Sequence, residues 1–418
     1  MISKAEILAH AKDAQLTPEV VEKDYVLGWL LFAIGQHPEA RKLWAFKGGT
    51  CLKKCVMETW RFSEDLDFTL LPAAGYTADA LRALLADVTA LCNEASGLGF
   101  PSTGISIQER RNRQGQLTFE GKVEYRGPLA FPGSPKIRLD LTRHEPLLRP
   151  VETRAIFHPY SDGLPANATV KTYSLGELVA EKTRALWERT RPRDLYDVVL
   201  LGTLTRTEPG GHTMKELARE KFAVKDLPLP TATAIAEKAR QDAELRSEWA
   251  SMLAHQLPAL PSLDEFLSRL PDSLTWLAGP SADRQRPEAL VAGSIADSAP
   301  TPLQSLRLAV GEVIVRPSRE QGGRPVGSLN VIRFAGAGHL LLEFVYNGHR
   351  RIVEPYSLRR PRTGNLLLYG FERRKDGSPT DDIRAYKVGE LQSLRVLDQS
   401  FQPRYVIELN EQAGVWKW

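Results

Sequence analysis

The chain has 418 residues, of which 42% are hydrophobic and 25% charged, an ordinary globular mixture long enough for two or three domains. No apolar run approaches the ~20 residues of a membrane helix, the N-terminus lacks the charged-then-apolar plan of a signal peptide, and three cysteines exclude a disulfide framework, so a cytoplasmic protein is expected. The formal net charge of +4 is mild, but arginines cluster at Arg110, Arg111 and Arg113; at Arg189, Arg191 and Arg193; at Arg350 and Arg351; at Arg359, Arg360 and Arg362; and at Arg373 and Arg374 beside Lys375. Such clusters suit a phosphate backbone. They equally suit solvated loops and helix ends.

In chain order, residues 4–44 predict helices, with apolar spacing in Val20, Val21, Leu27, Leu30 and Leu31. Residues 45–70 predict a strand or loop, a short helix and a strand. Within that helix Cys51 and Cys55 share a face, as buried small apolar residues rather than a metal pair. A helix follows over 77–95 (Leu81, Leu84, Leu85, Val88, Leu91), then strands near 103–109, 116–126 and 136–143, and a mostly helical stretch from 174 to about 270. Residues 277–304 are small, polar and Pro-rich and predict a linker between domains at 1–276 and 305–418. Beyond it, short β-like runs such as Val313–Val315, Leu340–Val345 and Leu366–Tyr369 predict a small all-β domain. There is no internal repeat at a fixed period.

The most informative stretch is Phe46-Lys47-Gly48-Gly49-Thr50-Cys51-Leu52, followed by Arg61-Phe62-Ser63-Glu64-Asp65-Leu66-Asp67-Phe68-Thr69-Leu70. With period two, Arg61, Ser63, Asp65, Asp67 and Thr69 fall on one face of a strand and Phe62, Leu66, Phe68 and Leu70 on the other. Neighbouring carboxylates repel unless a cation sits between them, and Mg²⁺ takes one or two carboxylates together with substrate phosphates. Upstream, Gly48-Gly49 permits a close backbone approach and Thr50 can cap the next helix, which suits a phosphate. An ordinary turn and a solvated strand face are the plain alternatives for each part taken singly.

A second constellation begins at Ser174-Leu175-Gly176-Glu177, which predicts a capping box. Lys182 lies within the apolar stripe of Leu175, Leu178, Val179, Leu186 and Trp187, so it must snorkel or meet an anion. After it comes Arg189-Thr190-Arg191-Pro192-Arg193-Asp194-Leu195-Tyr196-Asp197. Here Asp194 reads as an N-cap with Asp197 at the third helical position, and the arginines suit an RNA backbone or a triphosphate. In Lys136-Ile137-Arg138-Leu139-Asp140-Leu141-Thr142, Asp140 lies on the polar face of a strand.

Gly48-Gly49-Thr50 with Arg61–Phe68, the upstream Glu22-Lys23-Asp24-Tyr25, and Ala180-Glu181-Lys182 with Arg193-Asp194-Leu195-Tyr196-Asp197 resemble the motifs of the AbiEii/AbiGii toxin family. The resemblance covers roughly residues 15–205. It implies an α/β (α+β) polymerase-β-like nucleotidyltransferase with helical segments, a toxin of toxin–antitoxin or phage-defence systems. By resemblance, Asp65, Asp67 and Asp140 would hold Mg²⁺ or Mn²⁺. Gly48, Gly49, Thr50 and Ser63 would cradle the phosphates of an NTP, Lys182 would neutralise them, and Asp194 would complete the catalytic set. The resemblance makes an RNA acceptor, a tRNA end, and a cognate antitoxin the expected partners, with Arg189, Arg191 and Arg193 holding the RNA. The rival expectations are nucleotide transfer to a protein hydroxyl and a non-catalytic nucleic-acid-binding regulator.

The C-terminal stretch resembles a WYL-type domain in Arg350–Leu358, Leu367-Leu368-Tyr369-Gly370 and Phe401-Gln402-Pro403-Arg404-Tyr405, although the Trp-Tyr-Leu of that domain is absent. That resemblance implies nucleic-acid contacts through Tyr356, Arg359 and Arg404; a structural or dimerising barrel is the alternative.

Overall fold

The structure is a computed structural model that describes residues 1–57, 61–72, 74–111, 117–133, 135–143, 145–205, 211–278, 327–360 and 364–413. The expected linker from 279 onward, the expected strand Val313–Val315, Arg113 and Arg362 lie outside the described residues.

Two helices open the chain, α1 (Lys4–Ala14) and α2 (Pro18–Gln36). Ser3 caps α1 by accepting the Glu6 N–H at 3.2 Å, and Gln15 ends it in the left-handed region at φ 54°. A short α3 (Ala40–Leu43) leads into β1 (Trp44–Lys47), then α4 (Gly48–Cys51), which runs on as a π-helical turn at Leu52–Val56. After β2 (Asp65–Leu70) and α5 (Ala78–Ser96) come β3 (Ile105–Arg111), β4 (Leu117–Glu124), β5 (Lys136–Thr142), β6 (Glu152–Ala155) and β7 (Thr169–Thr172). These strands form one mixed sheet in the order β3-β4-β5-β2-β1-β7-β6.

In the middle of this sheet β2 runs parallel to β5 and antiparallel to β1. Its alternation sends Leu66 and Phe68 into the core with Phe46 on β1 and Leu139 and Leu141 on β5, all fully buried. Phe68 sits 5.3 Å from Trp44 and 5.0 Å from Phe46 between ring centroids. Each such side chain contributes about 1.5–3 kcal/mol by leaving water, and Phe68→Ala would cost about 3–5 kcal/mol. The opposite face carries Asp67 and Asp140. Burial on one face therefore fixes which way both carboxylates point, because a one-residue slip would turn every side chain over.

The expected strand over 61–70 covers only Asp65–Leu70. Arg61–Glu64 stays irregular because this segment bonds elsewhere: Phe62 N–H donates to the Gln256 carbonyl (2.9 Å), and Arg61 donates to Gln256 Oε1 (2.9 Å).

The helical part holds α6 (Leu175–Arg189), α7 (Pro192–Thr205), α8 (Gly211–Ala223), α9 (Ala232–Gln241), α10 (Ala243–Leu253) and α11 (Leu263–Ser273). Thr190 closes α6 at φ 46° and Pro192 opens α7 two residues later. The turn is tight, so the end of one helix faces the start of the next.

The C-terminal part is built on a second, separate sheet of β8 (Leu340–Tyr346), β9 (His349–Arg360), β10 (Leu367–Lys375), β11 (Ser378–Lys387), β12 (Gln392–Ser400) and β13 (Glu408–Ala413). Its ladder is antiparallel except that β13 pairs with β9 in parallel. A helix the sequence reading did not name, α12 (Gly327–Gly338), packs on this sheet and on α1. Two further bonds tie the parts together, Val396 N–H to Gln15 Oε1 (2.9 Å) and Leu260 N–H to Asp398 Oδ1 (3.0 Å).

Candidate active site

Lys47, Asp67 and Asp140 stand in register on three adjacent strands, β1, β2 and β5. Directly opposed residues share a face, so the three side chains form a row. Lys47, Gly48, Gly49, Asp67, Asp140 and Thr142 line one side of a cavity of about 180 Å³, and Leu178, Glu181, Lys182, Ala185 and Arg189 line the other. Burial pushes the Asp67 carboxyl up to about 6, Lys47 draws it back down, and Asp140 adds to the rise. Burial raises the Asp140 carboxyl too, again against Lys47.

Gly48 turns the chain at φ +78°, and a Cβ there would meet Asp67 Oδ2 at 2.1 Å. A Cβ on Gly49 would lie 2.7 Å from an Arg61 guanidinium nitrogen and 3.2 Å from Ser63 Oγ. Only glycine lets the backbone come this close to both acid and serine. Thr50 behaves otherwise than expected. It lies inside α4 rather than capping it, is fully buried, and donates its hydroxyl to the Asp65 carbonyl, so it fastens α4 to β2.

The opposite wall comes from α6 and α7. Ser174 caps α6 by accepting the Glu177 N–H at 3.2 Å. Glu177 does not complete a capping box; its carboxylate accepts instead from the Leu148 and Arg149 N–H groups and from Lys221. Lys182, four residues from both Leu178 and Leu186, meets an anion rather than snorkelling: its ammonium is 2.7 Å from Asp197 and 3.6 Å from Asp194. Asp197 is fully buried and also takes a two-pronged pair from Arg61, both contacts at 2.9 Å. Burial alone would raise its carboxyl, but Arg61 and then Lys182 hold it down at about 2. Asp194 lies within the first turn of α7 rather than at its N-cap, fully buried, with Arg189 donating to its two oxygens at 2.6 and 3.0 Å.

Arg189 also belongs to a second, wider cavity of about 1100 Å³, with Trp187, Glu188, Arg191, Arg193, Asp194, Leu227, Lys238 and Met252. Arg191 is paired with Glu244 (3.3 Å) and Glu248. Arg193 keeps a buried Nε–H without a hydrogen-bond partner, and burial, then the neighbouring Arg61, lowers its affinity for its proton. A buried donor left unmet is costly.

Asp65 and Ser63 are half-buried and are not among the residues that line the first cavity; Asp65 shares a face of β2 with Asp67, and Ser63 Oγ lies beside Gly49. Among the described residues no group of three or more His, Cys, Asp or Glu forms a ready metal cage. Two carboxylates in one row beside a glycine cradle fit a divalent ion completed by phosphate oxygens and water. Lys47, Glu145 and Glu181 are not among the site residues expected from the sequence, and Asp197 was expected there only as the third residue of a helix. Lys47 had a signal in its position one residue before Gly48, opposite the acidic strand. Glu145 had none.

The three C-terminal candidates differ in placement. Tyr356 is fully buried, its hydroxyl donates to Glu354 at 2.5 Å, and it packs against Phe401 and Tyr405, so no base can stack on it. Arg359 is turned to Ser357 Oγ (2.9 Å) and Glu408. Arg404 is half-exposed, 4.4 Å over the Phe371 ring and 3.6 Å from Glu354. The paired arginines are offset by acids as well: Arg351 by Glu372 at 2.6 Å, Arg373 by Glu354 at 2.8 Å, and Arg350 by Glu343.

Residues 29–272 match the family described as nucleotidyl transferase AbiEii toxin, type IV toxin–antitoxin system. No curated protein matches the chain significantly. Among solved structures it is similar to the nucleotidyltransferase toxin MenT4 from Mycobacterium tuberculosis, at 21% identity and a TM-score of 0.42, covering 68% of this chain and 92% of that one. No helix of the described residues is long and apolar enough to cross a membrane. With more than half of its length matched, and with the glycine turn, paired aspartates and helical lysine inside the match, the chain belongs to the AbiEii family of nucleotidyltransferase toxins.

Proposed function

We propose that the chain moves a nucleotide from an NTP to the hydroxyl of an RNA acceptor, in the cavity between the Asp67–Asp140 row and Lys182. The observation that carries this reading is the convergence of that carboxylate row, the Gly48-Gly49 turn and Lys182 on one 180 Å³ space. Asp67 and Asp140, with Asp65 two residues along β2 on the same face, are the residues that would hold Mg²⁺ or Mn²⁺. When bound, the ion offsets charge on the phosphate under attack and acidifies the attacking hydroxyl.

The chain's own residues do the rest. Gly48, Gly49 and Ser63 leave room for the triphosphate at the backbone, and Thr50 keeps that turn on β2. Lys182, aimed by Asp197, neutralises the phosphates. Asp194 holds Arg189 where the two cavities meet, with both carboxylate oxygens engaged, so its role is to position Arg189 and Lys182 rather than to take a proton. The wider groove of Arg189, Arg191 and Arg193 suits the acceptor backbone. Trp187 offers an aromatic surface within the groove.

The division into 1–276 for chemistry and a WYL-like 305–418 for substrate choice or control belongs to the same reading, as do a cognate antitoxin and a cytoplasmic setting for three buried free cysteines. The test is incubation with each α-labelled triphosphate in the presence of total RNA or total protein. Label in RNA supports the proposal. Label in protein alone replaces the RNA acceptor with a protein hydroxyl.

A further inference from the structure

Behind the cavity lies a set of buried charges that the reading above leaves without a task. Lys47 stands directly across from Asp67, in one row with Asp140. Yet among the ion pairs of the described residues it makes two, to Glu145 and, at 4.0 Å, to Glu181. Glu145 in turn faces Lys221 at 3.8 Å and Arg184 at 3.9 Å. Lys221 is fully buried, 3.0 Å from the equally buried Glu177 and 3.9 Å from Glu181. Lys47, Lys221 and Arg184 are thus matched by Glu145, Glu177, Glu181 and Glu188, the last 2.8 Å from Arg184, and among the described residues none of these ion pairs reaches the Asp67–Asp140 row.

We propose that Glu145 is a positioning residue: it parks the Lys47 ammonium beside the aspartate row, so that the row stays open for the divalent ion while the ammonium still faces the cavity. Lysine is a point charge on a flexible stem. Deprived of Glu145, the Lys47 ammonium would turn to the nearest remaining acids. Glu181, 4.0 Å away and shared with Lys221, is one of them, and Asp67 and Asp140, across the row, are the others. Of the charges around these two carboxyls, Lys47 already acts on both most strongly against the effect of their burial. An ammonium seated between them would compete with the ion for the same oxygens.

This inference rests on the metal reading of the site, and its test separates the two. Mn²⁺ binding is titrated by electron paramagnetic resonance on the full chain, with a non-hydrolysable analogue of the triphosphate that the wild type transfers. Glu145→Gln is expected to weaken Mn²⁺ binding roughly tenfold or more, as a like charge within a few ångström does. Lys47→Met is expected to bind Mn²⁺ at least as tightly as the wild type while transferring more slowly. The double variant is expected to recover the affinity of Lys47→Met, which a merely structural role for Glu145 would not produce. Unchanged Mn²⁺ affinity in a folded Glu145→Gln, or a double variant as weak as Glu145→Gln, overturns the proposal. Should Glu145→Gln fail to fold, loss of Mn²⁺ affinity in Lys47→Met overturns it and retained or tighter binding supports it. A wild type that binds no Mn²⁺ refutes the metal reading beneath it instead.

Discussion

Gly48→Ala tests whether the Asp67 carboxylate must stand where it does. Two effects combine at this position. The backbone sits at φ +78°, which costs a side-chain-bearing residue about 1–2 kcal/mol. The new methyl would also lie 2.1 Å from Asp67 Oδ2 and 2.9 Å from its Cγ, so the carboxylate must retreat by roughly 1 Å, a misplacement that can cost about a hundredfold in rate. Gly377→Ala separates the two effects, because its φ is +86° with nothing within 4 Å. Urea unfolding should show a similar loss of about 1–2 kcal/mol from the backbone alone in each. Transfer of an α-labelled nucleotide should fall about a hundredfold in Gly48→Ala and stay at the wild-type rate in Gly377→Ala. A Gly48→Ala protein that transfers as fast as the wild type would refute the claim that Asp67 is held in place for the chemistry.

The other expectations follow from the same geometry. Lys182→Met keeps the packing of the stem and leaves Asp197 with Arg61; transfer should drop roughly 10- to 200-fold, the worth of one charge-assisted contact, with little loss of folded protein by circular dichroism. Arg61→Met leaves Asp197 buried without its two-pronged partner and should cost about 3–5 kcal/mol in urea unfolding. Asp197 and Glu145 are both held at about 2 in the folded protein, burial being outweighed by Arg61 and Lys182 for the first and by Lys47 and Lys221 for the second, against ordinary values of 3.8 and 4.5. Their stabilisation is therefore present above those ordinary values and drains as pH falls toward about 2; Asp197→Asn should flatten the acid-unfolding curve over that window. Arg193→Ala should reduce the salt dependence of single-stranded RNA binding by about 0.7 in the log–log slope. Arg191→Ala should change it less, since Glu244 and Glu248 already offset that charge.

Much of this site was legible because it rests on local periodicity. Alternation placed Asp67 and Asp140 on polar faces, and both strands formed with that alternation because Leu66, Phe68, Leu139 and Leu141 had to be buried. Lys182 was legible as a lysine trapped in an apolar stripe. Its partner was not, since a helical pattern does not say which carboxylate a neighbouring helix will offer. Arg61 was read as a strand residue because it continued the alternation; its pairing with Asp197, 136 positions away, overrode that pattern. Thr50 was read as a cap because glycines preceded it, whereas the helix had already begun at Gly48. Tyr356 shows the same limit: an aromatic among arginines suggested a stacking surface, but the acids that pair those arginines, Glu343, Glu354 and Glu372, lie on neighbouring strands.

The most direct test of the account follows both ends of the triphosphate. The wild type, Asp67→Asn and Asp140→Asn are incubated with Mg²⁺, total RNA and each triphosphate labelled at the α- or the γ-phosphate. α-Label should enter RNA while γ-label leaves as pyrophosphate, in the wild type only, and EDTA should stop both. RNA that takes up γ-label, or α-label transfer that persists in Asp67→Asn, would contradict this.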